Sequence, residues 1–114
     1  TEITLQAARE QLSKTLYDGE IVKLAYKLVR DMIVLTDTRL IIVDKQGITG
    51  KKTEYKTIPY KSISRFSVET AGNFDFDSEL KIYISSEVEP TISLNFGNDK
   101  SIEDIQKALA MAIL

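Results

Sequence analysis

No cysteine, histidine or tryptophan occurs in the 114 residues. Without cysteine there is no disulfide, no thiolate nucleophile and no thiolate metal site, a composition that suits a reducing cytoplasm. Without histidine the side chain that titrates unperturbed near neutral pH is missing, and with it the commonest metal ligand. An enzyme would have to work with Asp, Glu, Lys, Tyr or Ser, and the sequence assembles no nucleophile–base pair from these. No catalytic residue, metal or cofactor is therefore expected. Long hydrophobic runs are also lacking: the central run Leu40-Ile41-Ile42-Val43 is four residues, against the ~20 that span a bilayer. No signal peptide is visible, so a cytoplasmic location is expected. The chain begins at Thr1 rather than Met, which leaves a removed leader open. A basic surplus is missing too: the net charge is −2 and the pI about 5.2, which argues against a dedicated nucleic-acid binder.

What remains is an ordinary globular composition, 43% hydrophobic and 28% charged. A chain of this length reads as a single domain, 1–114, able to bury roughly 65% of its unfolded surface. Its charge is unevenly spread. Residues 42–68 hold Lys45, Lys51, Lys52, Lys56, Lys61 and Arg65 against Asp44 and Glu54, a sum of +4. Residues 69–89 hold Glu69, Asp75, Asp77, Glu79, Glu87 and Glu89 against Lys81, a sum of −5. These blocks are either solvated hairpin faces or two halves of a protein–protein contact.

Leu5, Ala8, Leu12 and Leu16 recur at helical spacing, so residues 4–16 are expected to form an amphipathic helix that ends at Asp18-Gly19. Strands are expected over 20–97. Val22, Leu24, Tyr26 and Leu28 alternate with Lys23, Ala25 and Lys27. Thr36-Asp37-Thr38-Arg39 splits two apolar runs as a tight hairpin turn. Tyr55 and Thr57 alternate with Glu54, Lys56 and Ile58 until Pro59. Phe66 and Val68, then Leu80, Ile82 and Ile84, then Ile92, Leu94 and Phe96 each share a face. A C-terminal helix is expected over 101–113, with Ser101 and Asp104 as a capping box and Ile102, Ile105, Leu109, Ala112 and Ile113 as its apolar stripe. Seven antiparallel strands closed by a helix predict a mainly β fold, a small barrel or sandwich.

The pattern "TDTRLIIVDKQG…GKK…IPYKSISRFSVET", with the terminal "IEDIQKAL", resembles a bacterial pleckstrin-homology-like (PH-like) domain family of unassigned function, over about Leu5 to Leu114. The resemblance implies a seven-stranded barrel of two nearly orthogonal sheets capped by the C-terminal helix. It also implies a ring-shaped homo-oligomer, fivefold by family association.

Three constellations invite chemistry. Gly47-Ile48-Thr49-Gly50-Lys51-Lys52 looks like a phosphate loop. A Walker loop, however, needs G-x-x-x-x-G-K-[ST] ahead of a helix, and here the glycines are three apart and a strand follows. The stretch reads as a glycine-shaped hairpin loop. Lys23, Lys27, Arg30 and Arg39 lie where phosphoinositide-binding PH domains carry their basic pattern, but no [KR]-x-R triplet occurs, and a polyanionic headgroup needs several converging cations. Asp75, Asp77 and Glu79 alternate with Phe74 and Phe76 but lack the glycine and final glutamate of a calcium loop.

The expected role is a non-catalytic interaction module that assembles head-to-tail with copies of itself. Lys45, Lys51, Lys52, Tyr55 and Lys56 of one subunit are expected to meet Phe74, Asp75, Phe76, Asp77 and Glu79 of the next. The alternative is an anionic-ligand or membrane-lipid headgroup binder using Lys45, Lys51, Lys52 and Lys56.

Overall fold

The computed structural model describes residues 1–46, 51–70, 78–97 and 100–114. Two compact units emerge, Thr1–Pro59 and Tyr60–Leu114.

The first unit begins with a helix, α1 (Leu5–Gln11), followed by strands β1 (Val22–Lys27), β2 (Asp31–Thr36), β3 (Arg39–Gln46) and β4 (Lys52–Pro59). The strands form one antiparallel sheet in the order β1-β2-β3-β4. Thr4 starts α1 by accepting a hydrogen bond from the Ala7 N–H (3.0 Å), which satisfies one of the helix's orphan donors. The helix is shorter than its apolar spacing predicts, and turns carry the chain through Leu12 to Leu16. The backbone there tightens to three-residue bonds, from the Ser13 N–H to the Glu10 carbonyl (3.4 Å) and from the Thr15 N–H to the Leu12 carbonyl (2.8 Å), and the Thr15 carbonyl accepts from Arg39 Nη2 (2.8 Å). Ala8 and Leu12 are nevertheless fully buried, packed with Val22, Ala25, Met32, Val34, Ile41 and Val43 of the sheet.

One irregularity sets the face of β1. Its register shifts between Val22 and Leu24, so Val22 and Ala25, three apart, both enter the helix-side cluster. A regular strand would send them to opposite faces. The simple alternation expected from the sequence thus fails at Ala25, which is buried rather than grouped with the exposed lysines. The opposite face, Tyr26, Ile33, Leu35, Leu40, Ile42 and Ile58, is also buried. That explains why β2 and β3 read as continuous apolar runs. Along the outer edge of β1 the N-terminal residues pair with the strand: the Ile3 N–H donates to the Ala25 carbonyl (3.0 Å) and the Lys27 N–H to the Thr1 carbonyl (2.8 Å).

The second unit has a short 3₁₀ turn (Tyr60–Ser62), strands β5 (Ile63–Glu69), β6 (Ser78–Ile84) and β7 (Ile92–Gly97), and helix α2 (Ser101–Ile113). Its sheet runs β5-β6-β7, antiparallel. Leu80, Ile82, Ile92, Leu94 and Phe96 are buried, as the period of two predicts. Helix α2 buries Ile102, Ile105 and Leu109 and lies against β5 and the 3₁₀ turn. Its cap differs from the expected box: Lys100 holds the N-cap position without a side-chain cap bond, and Ser101 is already the first helical residue. Glu103 and Asp104 fall in the first turn, where negative charge complements the helix dipole. The seven strands among the described residues are thus hydrogen-bonded as sheets of four and three.

Candidate functional site

Register decides what the β3–β4 hairpin shows to each side. Cross-strand partners share a face. Lys27, Met32, Val43 and Tyr55 form one such row, and Lys45 pairs with Thr53 one step further on the same face. This is the side that carries α1. The other face takes Asp31, Asp44 and Glu54 in one row, with Gln46 and Lys52 beyond it and Lys56 behind it. All three carboxylates of β2, β3 and β4 at this end therefore point away from Tyr55 and Lys45.

The carboxylate face neutralises itself in part. Lys56 Nζ lies 3.5 Å from Glu54 Oε1 and 3.9 Å from Asp44 Oδ2. The Gln46 amide approaches the same two groups at 3.4 and 3.5 Å. Asp31 faces Asp44 directly. Burial, followed by the shared hydrogen bond and the charge of Asp44, raises the Asp31 pKa above the ordinary aspartate range. Lys56, expected to face a partner, is thus engaged at home. Lys45, Lys51, Lys52 and Tyr55 are exposed, Tyr55 to 48% on an edge strand.

Glu79 is likewise committed within its own sheet. Lys81 Nζ bonds Glu69 across β5–β6 and lies 3.6 Å from Glu79 Oε1. The hydrogen bond that Lys81 donates to Glu69 is the main cause of the raised Lys81 pKa. Phe74, Asp75, Phe76 and Asp77 lie outside the described residues, as do residues 47–50 of the glycine loop.

A second polar constellation was missed by sequence reasoning. Glu20, its side chain fully buried, forms a bidentate pair with Arg39: Nε to Oε2 and Nη2 to Oε1, both 2.8 Å. The Thr36 hydroxyl donates to Glu20 Oε2 (2.7 Å), and the Tyr17 N–H donates to Oε1 (3.2 Å). The same Thr36 oxygen accepts from the N–H groups of Thr38 (3.2 Å) and Arg39 (3.0 Å), which shapes the hairpin turn. Arg39 also reaches the Thr57 hydroxyl (2.8 Å) and lies over the Tyr17 ring, 5.9 Å from its centroid. The Arg39 hydrogen bonds, outweighing the opposing effect of burial, hold the Glu20 pKa down at about 2. This constellation ties the post-helix turn, the β2–β3 hairpin and β4 together. Its donors and acceptors are mutually satisfied, which makes it an anchor rather than a reactive group.

Among the described residues every buried side-chain nitrogen and oxygen has a hydrogen-bond partner, and no cluster of acidic residues is placed to hold a metal ion. No helix among them is long and apolar enough to cross a membrane.

Comparison with known proteins agrees with this architecture. The family model described as bacterial PH domain matches residues 1–113. The uncharacterised protein YjqA of Bacillus subtilis (strain 168) is 64% identical over 108 residues, covering 95% of this chain and 86% of the relative. Two crystal structures superpose on the whole chain. One is a DUF1696 family protein with a pleckstrin-homology domain from Shewanella loihica PV-4 (43% identity, 97% of that chain, TM-score 0.85). The other is a pleckstrin homology domain from Shewanella amazonensis SB2B (47% identity, 91% of that chain, TM-score 0.86).

Proposed function

This chain belongs to the bacterial PH domain family, and from that premise we propose that it is a non-catalytic, cytoplasmic interaction module that assembles head-to-tail with copies of itself into a closed ring. The observation that carries the reading is the sorting of charge on the β3–β4 hairpin. Tyr55 is half exposed beside Lys45, on a sheet face from which register has removed every nearby carboxylate of the hairpin. An aromatic ring with an apolar body and a polar tip, bordered by a cation, is the composition of an interface anchor. A heterologous contact between unlike surfaces closes into a ring when the rotation allows, and fivefold closure is the expectation carried by family resemblance.

Multi-angle light scattering and native mass spectrometry at tens of micromolar test this. The wild type is expected to give one closed oligomer, and Tyr55→Ser and Lys45→Glu to shift it toward monomer. A wild type that stays monomeric at low and high salt refutes the proposal.

A second reading, the binding of an anionic ligand or membrane surface, draws support from one observation. Val29 is 98% exposed beside Arg30 in the β1–β2 turn. That turn lies at the same end of the first sheet as Lys45 and Lys52. An exposed apolar side chain next to a cation suits an anionic interface. Sedimentation with anionic vesicles at low salt decides it, since attraction is greatest there.

A further inference from the structure

We propose that the β6–β7 loop, residues 85–91, is the element that a second copy of this chain receives on its Tyr55–Lys45 face, an inference that rests on the self-assembly reading above.

The loop carries Glu87 and Glu89 and no basic residue, and between the two carboxylates stands Val88, 84% exposed. It is tied down from several sides. Ser85 takes a left-handed backbone (φ 58°) at its start. The Thr91 hydroxyl donates to Glu87 Oε2 (2.8 Å) and accepts from the Ile84 N–H (3.3 Å). The Thr91 N–H donates to the Ile82 carbonyl (2.9 Å). From β5, Arg65 stacks its guanidinium on the Tyr83 ring at 4.0 Å and donates from Nη2 to the Glu87 carbonyl (3.0 Å). Three different residues therefore fix a loop whose tip touches solvent. Holding an apolar side chain in place before a partner arrives lowers the ordering entropy that association would otherwise cost.

Among its described residues, the acidic block 69–89 offers few other groups for such a contact. Glu69 and Glu79 are occupied by Lys81, and the Glu87 carboxylate by Thr91. Glu89, exposed like Glu87 and next to the apolar tip, has its carboxylate outside the Thr91 contact that engages Glu87. The receiving face matches it in both respects. Tyr55 offers an apolar ring for Val88, and Lys45 offers an ammonium for Glu89. Tyr55 pairs with Val43, and Lys45 lies two residues further along the same strand. The two are diagonal neighbours about 7 Å apart, a span that adjacent residues with diverging side chains can cover. Loop and sheet face are different surfaces of one chain, so the contact is heterologous and propagates head-to-tail.

The experiment uses six proteins: wild type, Val88→Asp, Glu89→Lys, Lys45→Glu, Tyr55→Ser, and the chain carrying both Glu89→Lys and Lys45→Glu. Each substituted side chain is exposed, so the circular dichroism spectrum of the dissociated chain at high dilution should match wild type, and any variant that fails this control is replaced by Val88→Ser, Glu89→Gln or Lys45→Gln. Each single variant is expected to raise the dissociation constant of the oligomer by roughly tenfold or more at low salt, and the charge-swapped chain to recover assembly. An equimolar mixture of Glu89→Lys and Lys45→Glu chains is expected to form mixed oligomers in which unlike chains alternate; a fivefold ring keeps one like-charged junction, so the mixture recovers assembly in part where the charge-swapped chain recovers it fully. If Val88→Asp and Glu89→Lys assemble like wild type while Tyr55→Ser does not, the loop is not the partner element and the self-assembly reading stands. If the single variants weaken assembly but neither swap nor mixture recovers it, the Glu89–Lys45 pairing is wrong. A monomeric wild type overturns both.

Discussion

Replacing Arg39 with methionine should be among the most damaging single changes in the first unit, for a reason that can be given a size. Arg39 is half of a pair whose other half, Glu20, has its side chain fully buried. Removing the guanidinium leaves a carboxylate with hydroxyl and amide donors but no counter-charge. The Glu20 pKa falls from 4.5 to about 2 in the folded protein. At 1.36 kcal/mol per unit, that is about 3 kcal/mol of preference for the ionised form, in line with the roughly 3–5 kcal/mol lost when one partner of a buried pair is removed. For a domain of this size the melting temperature should drop by roughly 10–15 °C.

The sign of the pH dependence follows from the depressed pKa. The contribution is complete above the unfolded value of 4.5 and is lost as pH falls toward 2. Urea titrations at a series of pH values read both effects, and the double variant Glu20→Gln/Arg39→Met should recover much of the loss by removing both charges. Should Arg39→Met unfold at the wild-type midpoint at pH 7, or keep the wild-type acid limb below pH 4.5, the reasoning fails.

Asp31→Asn should stabilise the protein at neutral pH. The raised Asp31 pKa means that the folded state binds this proton more tightly than the unfolded state, so stability falls as pH rises through the folded pKa. The gain in melting temperature should vanish in acid. Leu12→Ala, at a fully buried position under α1, should cost about 3 kcal/mol by denaturant titration. Gly19→Ala should cost about 1 kcal/mol or more, because φ is +90° there while nothing within 4 Å opposes a new Cβ; the strain is then purely of the backbone. Thr4→Ala, which removes the cap on the Ala7 N–H, should cost about 1 kcal/mol.

Much of the fold is legible in the sequence because a period of two is a local signal. Leu80 and Ile82 of β6 and Ile92, Leu94 and Phe96 of β7 are buried as their alternation picks out, Ile84 is only partly covered, and the C-terminal helix buries three of its five stripe residues. What escaped depends on contacts distant in sequence. Nothing near Glu20 marks it as buried. Its partner lies 19 residues on, and no spacing rule connects a post-helix turn to the last residue of a hairpin turn. The nearest signal was Arg39 beside two threonines in that turn. The bulge at Lys23 hid Ala25 for a related reason: one extra residue inverts the faces of everything before it, and composition does not record it. The candidate surface was half legible. The lysines were visible in the charge blocks. Which of them already have partners could be known only once Asp44, Glu54 and Lys56 were placed on one face.

That sorting has a consequence for how such a chain changes over generations. The outward charge of the hairpin is stored in the parity of its register, not in its composition. A substitution edits one position. Inserting a single residue within β4 exchanges the two faces at a stroke, sending Glu54 and Lys56 to the side now held by Tyr55 and the tyrosine to the carboxylate side. Two related chains could therefore share nearly every residue of this hairpin and still present opposite surfaces. Comparisons of assembly among relatives should count the residues between Arg39 and Pro59 before they count the charges.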